Sequence, residues 1–207
     1  YGHLHWAIIM IIGGAVFDFF DGLTARALGV SSPIGKELDS LADVVTFGVA
    51  PSAMLFWVMH ETHCPELLMP LKRVLPYTAF LIAAFSALRL AKFNLDTRQS
   101  TQFIGLPTPA NALFWGSLLV GQHAFLTSLR FNVVWMMALA LLSCYLLVCE
   151  VPMMALKFKS LTWAACRWKV VFLLGCLPCL LLGYSAFAAI IVWYIVLSAV
   201  LVKFRLS

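Results

Sequence analysis

Apolar residues run through this chain in long blocks with short polar interruptions, and the block lengths predict helices that cross a bilayer. A span needs about 20 predominantly apolar residues. Blocks over residues 5–28, 36–60, 76–93, 110–125 and 133–151 approach that measure. Residues 170–202 form a stretch of 33 without a charge. At about 1.5 Å per residue it exceeds a hydrocarbon core of about 30 Å by more than half. Gly183-Tyr184-Ser185 is therefore expected to break it into a sixth and a seventh span joined by a hairpin. Between the first two blocks, Gly29, Ser31, Ser32 and Pro33 predict a tight turn. After the third, FIGLPTPAN must interrupt helix with two prolines and a glycine. The expected fold is all-α: a polytopic membrane helix bundle, one integral-membrane domain over 1–207 with seven spans, a two-helix core over 5–60 and the remaining spans over 76–203.

Composition agrees: 63% of residues are hydrophobic and 11% charged, against about a quarter charged in soluble domains. The net charge of +5 does not imply a nucleic-acid partner, because no soluble basic face exists to carry it. It follows topology instead. With the connection at 29–35 in the cytoplasm, Arg26, Lys36, Arg89, Lys92, Arg98, Lys157, Lys159, Arg167, Lys169, Lys203 and Arg205 fall inside, and Lys72, Arg73 and Arg130 outside. The chain opens at Tyr1 with no signal-peptide pattern, so an upstream segment carrying an eighth helix is expected. The six cysteines show no regular framework. Cys176 and Cys179, flanked by apolar runs, read as small buried hydrophobes. His60, His63 and Cys64 lack a fourth zinc ligand and lie at the opposite end from the acids described next.

Charged residues are expensive in such a chain, and four aspartates between residues 18 and 43 are its main anomaly. Asp18 and Asp21 are three apart, and Asp39 and Asp43 four apart, so each pair shares one helix face. The hairpin brings all four to one end, a site for hard divalent cations. Two such ions about 4 Å apart can clamp a phosphoryl group. Gly22, Ala25 and Gly35 would let a bulky ligand approach backbone, and Arg26 suits a diphosphate. A divalent-cation transporter would want its acids near the midplane and would leave Gly22-x-x-Ala25-Arg26 unexplained.

The string Asp18-x-x-Asp21-Gly22-x-x-Ala25-Arg26, eight residues, then Gly35-x-x-x-Asp39-x-x-x-Asp43 is identified as the signature of the CDP-alcohol phosphatidyltransferases. DSLADVVTFGVAPS, ALRLAKFN and FIGLPTPAN further resemble the membrane-spanning CDP-diacylglycerol–serine O-phosphatidyltransferases. The resemblance covers most of 17–112. It implies transfer of a phosphatidyl group from CDP-diacylglycerol to the hydroxyl of L-serine, with release of CMP. It also implies two divalent ions, Mg²⁺ or Mn²⁺, held by Asp18, Asp21, Asp39 and Asp43, with Asp43 as general base. Asp18, Gly22, Ala25, Arg26 and Gly35 would hold the CMP part, and the protein would be a homodimer. Members usually carry a helix ahead of the one bearing Asp18, and often an arginine where this chain has Lys92. Glycerol 3-phosphate or inositol phosphate would be the acceptor in other members.

A serine acceptor brings a carboxylate, and Arg89 with Lys92, one helical step apart and beside Phe93, are the cations expected to hold it. The charge bias of a cytoplasmic loop would supply both anyway. Thr108 and Asn111 read as cap and turn residues. The diacyl donor is expected to enter sideways from the bilayer between helices.

Overall fold

The computed structural model describes residues 2–29, 32–95, 103–153 and 163–206. Helix α1 (Gly2–Leu28) stops at Gly29, whose φ of 64° ends the helix in the left-handed region. Helix α2 (Pro33–Asp43) starts three residues earlier than expected. Pro33 fits the first turn, where an N–H has no helical partner, and the Ser32 hydroxyl accepts from the Gly35 amide at 3.0 Å.

The second span does not run as one uniform α-helix. Residues Val44–Val49 are wound as a π-helix before α3 (Ala50–Glu61) begins. Pro51 explains the change. It lacks the N–H that would bond to the carbonyl four residues back, and its ring crowds that carbonyl. The preceding turn widens, and the Ala50 amide bonds to the Val45 carbonyl, five residues back. The buried Ser52 hydroxyl donates to the Gly48 carbonyl at 2.7 Å, satisfying part of the disturbed ladder.

The polar stretch 61–75, between the second and third apolar blocks, contains a 3₁₀ turn, Glu66–Leu71, and a second, Leu75–Phe80, leads into α4 (Leu81–Leu95). Helix α5 (Thr108–Gly121) is followed by the single turn α6 (His123–Leu126). Helix α7 (Val133–Val148) is capped by Asn132, whose Oδ1 accepts from Val134 and Trp135 amides at 3.0 and 3.3 Å. Helices α8 (Trp163–Leu180) and α9 (Ala186–Leu206) meet through Gly183–Ser185, where Gly183 has φ 58°, so the expected break is present.

Four helical stretches, His3–Leu28, Pro33–Glu61, Leu75–Leu95 and Gly183–Leu201, are long and apolar enough to cross a membrane, and Val133–Val148 and Trp168–Leu180 are shorter apolar helices. The fold is an all-α polytopic membrane bundle. One small addition is a two-residue antiparallel ladder, β1 (Phe103–Ile104) with β2 (Pro152–Met153). Of the expected charge bias, Arg98, Lys157 and Lys159 lie outside the described residues. Cys64, Cys144 and Cys149 carry buried free thiols, whereas Cys176 and Cys179, expected as small buried hydrophobes, are free thiols only partly buried.

Helix α5 sits in the middle. It packs against α1, α3 and α9, and Asn111, Ala112, Trp115 and Leu119 on it are fully buried. Close approach is built from small residues: a Cβ on Gly116 would lie 3.1 Å from Ile8 of α1, and one on Gly121 would collide with Ser185. The Ser117 hydroxyl donates to the Tyr184 carbonyl at 2.6 Å and accepts from the Ala188 amide at 3.0 Å, seating the α8–α9 turn against α5. At the far end from the aspartates, His123 Nε2 meets Glu61 Oε2 at 2.9 Å and ties α6 to the end of α3.

Candidate functional site

The turn at Gly29 and Ser32 folds α2 back beside the end of α1. One carboxylate oxygen each from Asp18, Asp21 and Asp39 then comes within 4.8 Å of the other two. The helix crossing is fixed by contact: a Cβ on Gly14 of α1 would lie 2.5 Å from Thr46 Cγ2, and one on Gly48 would lie 3.2 Å from Ser86 Cβ of α4. The chain thus spends two glycines on drawing α1 and α4 against the π turn. Asp43 follows Asp39 by one turn on the same face and is partly buried at the start of that π turn. Its carboxylate feels the charges of Asp18, Asp39, Arg89 and Asp21.

Carboxylates gathered like this repel one another, and a cation relieves the repulsion. Hard divalent ions bind oxygens at about 2.0–2.6 Å, so two ligands of one ion lie up to about 5 Å apart. The three-carboxylate set has the right donor type and the right spacing to share an ion.

Arg26 lies along its own helix, its Nε donating to the Gly22 carbonyl at 2.8 Å. Gly22, Ala25 and Arg26 stand on the last turns of α1, directly after Asp21. Gly35 has a local reason to be glycine, because a Cβ there would lie 2.9 Å from Ser32 Oγ and spoil the cap. The end of α4 is tied to α2 by Asn94 Nδ2, which donates to Ser40 Oγ at 3.0 Å.

Arg89 and Lys92 occupy different surroundings. Lys92 is exposed, whereas Arg89 is 8% exposed, with its guanidinium carbon 5.9 Å from the Phe93 ring centroid. An Arg89 Nη1 atom reaches the Thr108 hydroxyl at 3.5 Å, and the guanidinium feels the charges of Asp43 and Tyr194. The cap reading of Thr108 and Asn111 does not hold: Pro107 is the N-cap of α5 with no side-chain cap bond, Thr108 is fully buried against the arginine and Asn111 is fully buried inside the helix against Ser143. Tyr194 of α9 was not among the expected residues. A lone tyrosine in an apolar block carries no sign of which helix it faces. Thr108 and Asn111, polar and three apart at the head of an apolar run, were the legible signal for a polar face on α5.

An apolar groove of about 410 Å³ is lined by Ala15, Val16, Phe19 and Phe20 of α1 with Leu113 and Phe187, and at helical spacing these α1 residues lie on the side of the helix turned away from Asp18 and Asp21. Phe19 and Phe20 lie between Asp18 and Asp21 in sequence, so the groove and the carboxylates share one stretch of helix.

The family model described as CDP-alcohol phosphatidyltransferase matches residues 1–142. The CDP-diacylglycerol–serine O-phosphatidyltransferase of Bacillus subtilis is 41% identical over 109 residues, covering 53% of this chain and 57% of that protein. The enzyme of that name from Mycobacterium leprae is 35% identical over 158 residues, 71% of this chain and 48% of that protein. That of Methanocaldococcus jannaschii is 38% identical over 127 residues, 61% and 55% respectively. The chain spans about half the length of these curated relatives.

Proposed function

Because the chain belongs to the CDP-alcohol phosphatidyltransferase family, we propose that it transfers the phosphatidyl group of CDP-diacylglycerol to the hydroxyl of L-serine and releases CMP. The observation that carries this reading is the convergence of Asp18, Asp21 and Asp39, with Asp43 one turn away and electrostatically linked to the buried Arg89. The relatives' printed activity supplies the donor and the acceptor.

Asp18, Asp21 and Asp39 would hold Mg²⁺ or Mn²⁺, and Asp43, one turn on, would contribute to a second ion. A divalent ion held there would supply positive charge to offset the negative charge of the phosphoryl oxygens. The serine hydroxyl is a weak nucleophile at neutral pH. Asp43 takes its proton while the serine oxygen bonds to the phosphorus bearing diacylglycerol and the bond to the CMP phosphate breaks. Gly22 and Ala25 leave room for the cytidylyl part, with Asp18 and Gly35 at its edges, and Arg26 swings from its own helix to meet the diphosphate. Arg89, stacked near Phe93, holds the serine carboxylate, with Lys92 at the entrance. The apolar groove beside Phe19 takes an acyl chain of the donor, which reaches it from the bilayer. The acidic end faces the cytoplasm, a reading supported by the bias of lysine and arginine. Family resemblance further implies a homodimer, which cross-linking in membranes tests.

The decisive experiment measures CMP release by purified protein with CDP-diacylglycerol and Mg²⁺ or Mn²⁺, comparing L-serine, glycerol 3-phosphate and inositol phosphate. Serine-dependent release that falls by about 100-fold or more in Asp43→Asn is the expected result. Release with a phosphorylated acceptor alone would overturn the acceptor. Absence of release with any of the three would overturn the reaction.

A further inference from the structure

Four buried side-chain nitrogen or oxygen atoms have no hydrogen-bond partner among the described residues: Ser86 Oγ, Arg89 Nε, Asn111 Nδ2 and Trp193 Nε1. Buried polar atoms are almost always paired, so each orphan calls for a reason. Three of the four belong to α4 and α5.

Their depths agree. Helix α4 runs toward the acidic end and α5 runs away from it, and the Arg89–Thr108 contact puts those two residues side by side. Ser86 is three residues before Arg89 and Asn111 three after Thr108, each about one turn further from the acidic end. The orphaned atoms therefore fall at neighbouring levels of α4 and α5, with Ser86 also packed on Gly48 of the π turn, and Ser86, Thr108 and Asn111 are all 0% exposed.

The polarity of the Asn111 amide is set by its other neighbours. Trp115 Nε1, which can only donate, gives its proton to Ser143 Oγ at 3.1 Å, and the Ser143 hydroxyl donates to Asn111 Oδ1. This relay holds Oδ1 on α7 and turns both amide protons the other way. Arg89 Nε is likewise a donor. Two buried donors, one of them cationic, ask for an acceptor with a single negative charge. A carboxylate meets that demand. A phosphate monoester, carrying about −1.5 to −2 at neutral pH, would leave charge uncompensated beside one guanidinium, with Asp43 already sharing it.

We propose that Asn111, with Ser86, completes a buried carboxylate subsite beside Arg89 that selects an α-amino acid acceptor over a phosphorylated one. This deepens the serine-transfer reading and rests on it. Asn111 is a specificity-determining residue, binding the acceptor's carboxylate and taking no part in proton transfer.

The test uses the full chain in detergent or vesicles and compares KM for serine with KM for CDP-diacylglycerol. Asn111→Asp keeps the shape and the Ser143 contact but replaces two donors with a negative oxygen. It is expected to raise serine KM by about 10-fold or more, the weight of one hydrogen bond to a charged group, and to leave CDP-diacylglycerol KM within about twofold. Ser86→Ala, a second and milder variant, is expected to move serine KM in the same direction. Ser117→Ala removes an equally buried hydroxyl of α5 that bonds to Tyr184 and Ala188 instead, and is expected to keep serine KM near the parent value. Unchanged serine KM in both Asn111→Asp and Ser86→Ala would assign the orphaned atoms to internal water and overturn the subsite. An equal rise in Ser117→Ala would trace the effect to packing of α5 and overturn it as well. No serine-dependent CMP release by the parent protein would instead remove the reading on which the subsite depends.

Discussion

At the scale of single residues, the cost of charge in lipid makes the acids readable and hides their partners. Asp18, Asp21, Asp39 and Asp43 stand out in sequence because an apolar chain has little other use for them, and three of the four meet within 4.8 Å. Arg89 is as conspicuous by charge, yet it is buried, while Lys92 one turn on is exposed. Spacing along a helix gives which residues share a face, not which neighbour that face meets. That is why Tyr194 was not legible as part of this region, and why Thr108 and Asn111 marked a polar face on α5 without showing which helix it meets. Burial and stacking make a specific prediction for Arg89. Lysine keeps the charge but loses the planar fork, so Arg89→Lys should raise serine KM by about 10-fold while Mn²⁺ binding, followed by electron paramagnetic resonance, stays at the parent level. Loss of Mn²⁺ binding in that variant would mean that Arg89 organises the acids instead of the acceptor.

At the scale of elements, the blocks of hydrophobic residues located the helices well, including the break at Gly183, but they could not reveal the π turn. A π turn preserves composition and changes only winding. Its residues Val44–Val49 separate Asp39 and Asp43 from the packed half of the same span, so the winding sets the angle at which the carboxylates face α1. Replacing Pro51 restores an N–H and removes the steric cause. Pro51→Ala is expected to rewind the turn, keep or raise the melting temperature in detergent, and lower kcat by shifting Asp43 by up to about 100° around the axis. A fully active Pro51→Ala would show that the turn is held by packing at Gly48 and Ser86 instead. Gly105 makes a second element-level case: it has φ 72°, and a Cβ there would lie 2.9 Å from the Leu147 carbonyl. Gly105→Ala is expected to cost about 1–2 kcal/mol from backbone strain alone, read as a lower melting temperature. The apolar groove predicts a different signature. Ala15→Phe fills it, and should raise the KM for CDP-diacylglycerol while leaving that for serine unchanged.

At the scale of the whole molecule, alternation of the spans puts Glu37 near the acids and Leu67, 90% exposed, at the other end. With the acids in the cytoplasm, a membrane-impermeant maleimide should label Glu37→Cys in inverted vesicles and Leu67→Cys in right-side-out ones, above the background of the native thiols. The opposite pattern would reverse the orientation. The central position of α5 bears on how the protein is made. Its 14 residues rise only about 21 Å, short of a hydrocarbon core of about 30 Å. They also include Thr108, Asn111 and Ser117. Such a segment is a poor candidate for release from the translocon into lipid by itself. Its polar side chains and glycines find their partners on α1, α4, α7 and α9, which flank it in the chain on both sides. The central helix is therefore expected to be seated, during biogenesis, by α1 and α4, which are made before it, and by α7 and α9, which are made after it.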